Sequence, residues 1–265
     1  MKQVIIFAFI ALTFLGSCKK NTSDGTNPST NGTTCKVVKI TQSVTNYPPS
    51  DWLFYYDNLH NLEYIKEIES TGDTIIYLSY NYLNNILQYS VNYQVESTDT
   101  TYYHYNPQNK LTETIEYIRY SSSVKIIKST YFYNTANQII LYTLKEQINS
   151  IAGTFDSVLY TYTGNNVTTE DHYTKYGTGP FTCTKFNYSY DNKKNFYKSI
   201  TLQPIAAFQW AENNMIQMKY ADSTNAYLTR TFLTYNEFGY PTDYIEHYSS
   251  PVSTTIEYYL TFQCP

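Results

Sequence analysis

The side chains of this 265-residue chain that could do chemistry are four histidines, four cysteines and 22 carboxylates. Metal sites need His or Cys at close spacing. His60, His104, His172 and His247 are instead far apart in the sequence. The tightest polar cluster is Glu170-Asp171-His172. In an extended segment Glu170 and His172 share a face, which would permit a metal or acid–base pair; a polar solvent face is the simpler reading. Glu246 and His247 would point apart in a strand. No Gly-x-Ser-x-Gly elbow, phosphate loop or zinc-protease helix motif occurs. Gly177-Thr178-Gly179-Pro180 reads as a hairpin loop. We therefore assign no catalytic residue, no metal ligand and no cofactor. With 18 Lys and Arg against the 22 carboxylates, the net charge is −4, so nucleic acid is not an expected partner.

Asp followed by Ser or Thr recurs at Asp73-Thr74, Asp99-Thr100, Asp156-Ser157 and Asp222-Ser223. We read all four as turns in which Asp bonds its own backbone. They also resemble the Asp-Ser/Thr-x sites that Bacteroidota O-glycosylate on exported proteins. That resemblance makes Thr74, Thr100, Ser157 and Ser223 candidate acceptors. Tyr102, Tyr103 and Tyr105 could stack on sugar rings, but must divide between two faces of a strand. Core packing and cross-strand pairing is the alternative reading.

The N-terminus carries its own chemistry. Lys2 precedes an apolar stretch, Val4 to Leu15, too short for a bilayer, which takes roughly 20 residues. It ends in Leu15-Gly16-Ser17-Cys18. This resembles the lipobox of bacterial lipoproteins and implies cleavage before Cys18, with lipid on its thiol. Residues 1–17 are thus expected to be a signal peptide. Residues 18–34 follow as a polar tether with no apolar residue after Cys18, which cannot bury surface and should stay disordered. The residue after the cysteine is Lys19 rather than Asp; the family's retention rule then points to the outer membrane. Its face is left open.

Residues 35–265 show one theme. An aromatic, a spacer, Tyr, then Asn or Asp, precede a polar loop and an apolar residue that opens a second extended run. The units are Tyr56-Asp57…Leu62, Tyr80-Asn81…Ile86, Tyr105-Asn106…Leu111, Tyr133-Asn134…Ile139, Tyr190-Asp191…Phe196 and Tyr235-Asn236…Tyr240. Two shorter variants are Tyr162-Thr-Gly-Asn-Asn-Val167 and Trp210-Ala-Glu-Asn-Asn-Met215. Such a repeat decides the fold. Each unit holds two strands and two turns, and short connections make neighbours antiparallel. Leu87, Tyr89, Val91, Tyr93 and Val95 alternate with Gln88, Ser90, Asn92 and Gln94, the period of a half-buried strand. Ile256, Tyr258, Leu260, Phe262 and Cys264 do the same at the C-terminus.

The expected fold is all-β: one domain, an antiparallel meander of hairpin repeats with about 16–18 strands. It is closed or nearly closed into a flattened barrel, since open edges are a liability. With 32 tyrosines in the chain, its interior should be filled by Tyr and Phe rings. Cys35 opens the first strand and Cys264 closes the last. If the ends meet, a 35–264 disulfide would lock the seam; with three thiols besides Cys18, pairing through Cys183 is the alternative.

The Tyr-Asn/Asp turns resemble the YD repeats of Rhs-type proteins. With Cys35-Lys-Val-Val-Lys-Ile40 and Tyr258-Tyr-Leu-Thr-Phe-Gln-Cys264, the chain resembles more closely Bacteroidota lipoproteins of unknown function with a porin-like all-β fold. The resemblance covers the lipobox and the chain from Cys35 onward. It implies the architecture; with the lipobox and no site constellation, the expected function is a lipid-anchored, non-enzymatic envelope scaffold, partnered by membrane lipid through Cys18 and by a glycan or surface protein. The competing expectation is an integral outer-membrane barrel; a hydrolytic enzyme is the third.

Overall fold

The computed structural model describes residues 15–16, 35–44, 47–69, 71–93, 97–120, 122–149, 151–199, 202–203, 211–222, 227–249 and 253–264. The expected signal peptide (1–17) and tether (18–34) otherwise lie outside these residues, as does Cys18. The barrel begins with β1 (Lys36–Val44), β2 (Ser50–Tyr56), β3 (Leu62–Glu69) and β4 (Thr74–Leu83). Next come β5 (Ile86–Tyr93), β6 (Thr98–Tyr105), β7 (Leu111–Arg119) and β8 (Val124–Tyr133). They are followed by β9 (Ile139–Ile148), β10 (Ile151–Thr163), β11 (Asn166–Tyr176) and β12 (Phe181–Lys194). The last four are β13 (Asn213–Tyr220), β14 (Leu228–Tyr235), β15 (Pro241–Tyr248) and β16 (Thr254–Gln263). Each strand pairs antiparallel with the next, and β16 pairs with β1 to close the barrel. Apart from it, Leu15–Gly16 pair with Leu202–Gln203.

An antiparallel meander sends every second turn to the same end. One end, the turn rim, holds the turns after β2, β4, β6, β8, β10 and β14, with the start of β1 and the end of β16. The other end is the loop rim. At the turn rim Cys35 and Cys264 are joined by a disulfide, their Cα atoms 4.2 Å apart. Cross-linking so long a loop is worth roughly 5 kcal/mol on chain entropy.

The repeat's Asn or Asp has a specific task. Asp57, Asn106, Asn134 and Asn236 each donate their backbone N–H to the carbonyl four residues on. Their side-chain oxygens accept backbone N–H groups within the same turn: Asp57 from Leu59 and Asn61, Asn106 from Gln108 and Lys110, Asn236 from Phe238 and Tyr240. Each of these turns closes through a residue at positive φ: His60, Asn109, Asn137 or Gly239. Asn and Gly tolerate that backbone, whereas most L-residues pay for it in sterics. The two-residue turn Asn84-Asn85 has positive φ at both positions, as a right-twisting hairpin requires.

Beyond each turn the register slips by one residue. The unpaired extra residues are Val38, Glu63, Gln88, Thr112, Ile140, Thr168, Ile216 and Thr242. Such a bulge inverts the facing of everything after it. This overturns the facing expected for β5. Leu87 is fully buried, but beyond Gln88 it is Ser90 that turns into the barrel, while Tyr89 and Tyr93 stand on the outer wall, 37% and 47% exposed. On β16, opposite the bulge at Val38, the alternation is unbroken, and Ile256, Tyr258 and Leu260 are buried as expected.

Inside the turn rim, Val37, Leu62, Leu87, Leu111, Ile139, Val167, Met215 and Tyr240 form a buried ring. Above it the lumen fills with rings, among them Phe54, Tyr80, Tyr103, Tyr131, Tyr160, Tyr188, Tyr244 and Tyr258. Phenols tie successive repeats together: Tyr56 donates to the Val37 carbonyl at 2.8 Å, Tyr133 to Leu111 at 2.8 Å and Tyr162 to Ile139 at 2.7 Å.

One stretch departs from the repeat. The Tyr190 and Trp210 units do not form two turns. β12 runs on to Lys194, and the connection to β13 carries a 3-10 turn, Phe196–Ser199. Phe196 is 1% exposed, stacks on Tyr197 at 4.0 Å and lies 5.5 Å from Tyr244. The Asp191 carboxylate serves Lys193 and Asn214 rather than a tight turn. Phe196 and Tyr197 therefore pack into the barrel core. Trp210 lies outside the described residues.

His60 is the one non-Asn, non-Gly residue at positive φ among the described residues. Replacing it by Gly should stabilise the barrel by about 1 kcal/mol, and His60→Val should destabilise it by at least as much. Thermal unfolding of the two variants against wild type checks this.

Candidate functional site

The chemistry-bearing side chains divide between lumen and outer wall. Towards the loop rim, Glu67, Asp99, Glu116, Glu146, Asp156, Glu170 and His172 occupy inward positions on their strands. Glu170 and His172 do share a face, but it is the lumen face rather than solvent. Glu170 accepts a bond from the Tyr188 hydroxyl at 2.7 Å, and His172 lies 3.6 Å from Asp156. Asp171 points outward and pairs with Lys185 at 2.8 Å. Burial pushes the carboxyls of Glu67 and Glu116 up to about 7, helped by Glu69 and Asp99 respectively. Burial also raises Asp99 and Glu170. Among the described residues no group of three or more His, Cys, Asp or Glu stands ready to hold a metal ion.

Deeper in, Arg230 and Glu246 form a buried ion pair at 2.6 Å. The Glu246 carboxylate also accepts the Tyr248 and Tyr258 hydroxyls at 2.9 and 3.1 Å. The guanidinium lies over the rings of Tyr197 and Tyr244 at 5.7 and 5.9 Å. Every charge here has partners, as burial requires. His247, the next residue, points out and contacts Thr255.

The outer wall is of a different character. Lys39–Asp51, Glu113–Lys128 and Asp171–Lys185 are ion pairs on outward positions, spread around the barrel. Between them runs a belt of phenols. Tyr55 stacks on Tyr64 with centroids 4.2 Å apart; Tyr89 lies 6.0 Å from Tyr102, and Tyr102 lies 6.0 Å from Tyr117. Within the belt, short Ser79 and Asn81 on β4 sit between Tyr64 on β3 and Tyr89 and Tyr93 on β5. Short residues flanked by long ones make a groove of about 470 Å³, with Glu63 at its edge. This groove is the candidate binding site.

Of the residues singled out from sequence, Tyr102 faces out while Tyr103 is buried in the lumen, 4% exposed. Thr74 is exposed where β4 begins, directly after a turn. Two of the four Asp-Ser/Thr turns prove to be strand. Thr100 lies in β6, 8% exposed, between its cross-strand neighbours Val91 and Tyr117. Ser157 lies half-buried within β10. β-branched and aromatic partners across the ladder decide strand here, over the local turn preference of Asp. Ser223 lies outside the described residues. Cys183 is an exposed free thiol opposite Tyr173. Neither the groove nor the Arg230–Glu246 pair is legible in the sequence. The outward facing of Tyr89 and Tyr93 depends on the bulge at Gln88. Arg230 and Glu246 meet only through the β14–β15 register.

No protein-family model matches the sequence, and no curated protein does. Solved structures do. A porin-like protein from Bacteroides uniformis superposes with a TM-score of 0.57 at 13% identity, covering 86% of this chain and 98% of that one. A porin-like protein from Bacteroides vulgatus gives 0.56 at 10% identity, covering 86% and 99%. The likeness establishes a shared fold: the chain is an all-β, closed antiparallel barrel of the kind those proteins have.

Two predictions follow from the lumen. Glu67 and Glu116 hold their protons more tightly folded than unfolded, where carboxyls titrate near 4.3. Their contribution is complete below that value and is lost as pH rises through about 7. With water reaching both groups, the loss should be on the order of 2 kcal/mol, or about 4–8 °C in Tm between pH 5 and 8. The variant E67Q/E116Q should flatten that slope in calorimetry. Separately, Arg230→Met should cost about 3–5 kcal/mol by stranding Glu246, and adding Glu246→Leu should restore most of it. Chemical denaturation of both variants checks this.

Proposed function

We propose that this protein is a non-enzymatic, lipid-anchored β-scaffold of the outer membrane, held by acylated Cys18 and binding its partner through the outer wall. The observation that carries this is the wall itself. Its outward ion pairs, Lys39–Asp51, Glu113–Lys128 and Asp171–Lys185, belong in water. A barrel in lipid needs an unbroken apolar band, and Lys at the bilayer midplane costs roughly 2–4 kcal/mol. The lumen supports the same reading. Aromatic rings and the Phe196 turn occupy the space a conducting channel would need.

Cys35 stands at the turn rim, so the tether would enter there and that rim would face the membrane. Seventeen tether residues, at roughly 3.4 Å each, could hold the barrel up to about 60 Å from its anchor. The loop rim and wall would then face away from the membrane, open to a glycan or a surface protein.

An integral outer-membrane pore is the second reading. It draws on the porin-like description of the Bacteroides neighbours and on exposed wall residues such as Phe132, Leu159 and Leu233. The two separate cleanly. Full chain secreted with Cys18→Ser should be monomeric in detergent-free buffer, and an alkyne-palmitate label should enter wild type but not that variant. A Cys18→Ser chain that still needs detergent sinks the proposal in favour of the pore.

A further inference from the structure

We infer that the groove between β3 and β5 is a binding site for a neutral saccharide chain. This rests on the reading of the outer wall as water-facing. The groove spans two strand spacings, roughly 10 Å, with a floor of one hydroxyl, Ser79, and one amide, Asn81. Its walls are the phenols of Tyr64, Tyr89 and Tyr93. A sugar ring has an apolar C–H face and a periphery of hydroxyls. Rigid phenol rings match the first, at small entropy cost, and hydroxyl, amide and carboxylate groups match the second.

Charge narrows the class. Glu63 is the only charged residue in the lining, and it is negative. Phosphorylated, sulfated or uronic polymers would meet repulsion from Glu63, while the cation beside the wall, Lys66, is held over the Tyr64 and Tyr55 rings at 5.7 and 6.0 Å. A protein partner fits less well, because hot spots want apolar anchors in desolvated pockets, and Val91 is the lone aliphatic there. The phenol belt also continues past the groove to Tyr102 and Tyr117 on one side and Tyr55 on the other. It runs across the strands, so successive rings could bear successive sugar units of a polymer rather than one monosaccharide.

The test is affinity electrophoresis of the full chain carrying Cys18→Ser, through gels containing xylan, mixed-linkage β-glucan, α-mannan or starch, with anionic alginate for comparison. Retardation by at least one neutral polymer, and none by alginate, is expected. Tyr89→Ala should weaken that binding tenfold or more. Ser79→Trp, which fills the groove and removes its floor hydroxyl, should abolish it. Tyr259→Ala, on the outward face of β16, should bind as wild type does. Melting curves verify that the variants are folded. A soluble, folded barrel that none of the four neutral polymers retards overturns the site alone. So does undiminished binding by Ser79→Trp, or equal retardation by alginate. A chain that needs detergent removes the water-facing wall, and the site with it.

Discussion

Closing sixteen strands into one ring demands that every hairpin hold the same register, and the turn rim is where that constraint is met. Each turn there begins with Asn or Asp or is a two-residue hairpin bend, and a one-residue bulge follows. The bulge does two things at once. It places the first apolar residue of the new strand in the buried ring, and it increases local twist, which a closed barrel requires. Neighbouring turns are also bonded to one another. Lys36 reaches the His60 carbonyl, Asn61 reaches Asn85, Lys110 reaches Asn137, Gln138 reaches the Gly164 carbonyl and Asn165 reaches Glu212. The disulfide adds a covalent link at the seam. A slip in one of these hairpins would break bonds to its neighbour, so their registers are coupled.

Tyrosine is the residue such a barrel can use on both surfaces. In the lumen its ring supplies buried area, and its hydroxyl can reach a carbonyl, a serine or a carboxylate: Tyr103 bonds Ser90 at 2.9 Å, and Tyr188 bonds Glu170. The lumen is therefore graded. It is aliphatic at the turn rim, aromatic through the middle, and increasingly carboxylate-bearing toward the loop rim. Burying hydroxyls and charges in this way adds little net stability, but demands defined partners. On the wall the same side chain leaves a ring face exposed.

The parts of this arrangement legible in the sequence are those set by neighbours a few residues apart. Tyr-Asn-x-x turns, their spacing, and hence the meander and the meeting of its ends, all follow from local chemistry, and Cys35 and Cys264 lie where the two ends must. Facing was legible only where no bulge intervenes, as on β16. On β5 the apolar alternation is real, yet past Gln88 it describes the wall and not the core. A bulge carries no residue-type signature of its own: Val38, Glu63, Gln88 and Thr112 have nothing in common. The same blindness hid the groove, whose residues come from three strands and require knowing which side of each is out. It also hid the β12–β13 connection, where Asp191 looks like every other turn residue but bonds Asn214 across 23 positions.

A barrel closed this way has little left to move. Its lumen is occupied, and neighbouring turns along much of its turn rim are bonded to one another. A lumen site would have to displace packed rings or buried, hydrogen-bonded carboxylates, each costly to strip of partners. The wall carries no such cost. Ser79 and Asn81 are backed by a rigid ladder, and the phenols beside them lose few rotamers on contact. Recognition on the outer face of a stiff sheet gives modest affinity per site, because each ring buries only one face. Repetition of phenols across β2 to β7 is the physical remedy, since contacts to linked units of one polymer raise avidity without any new structure. A closed barrel that binds through its wall, as proposed, would thus favour a long, repetitive partner lying across its strands over a compact one lodged within it.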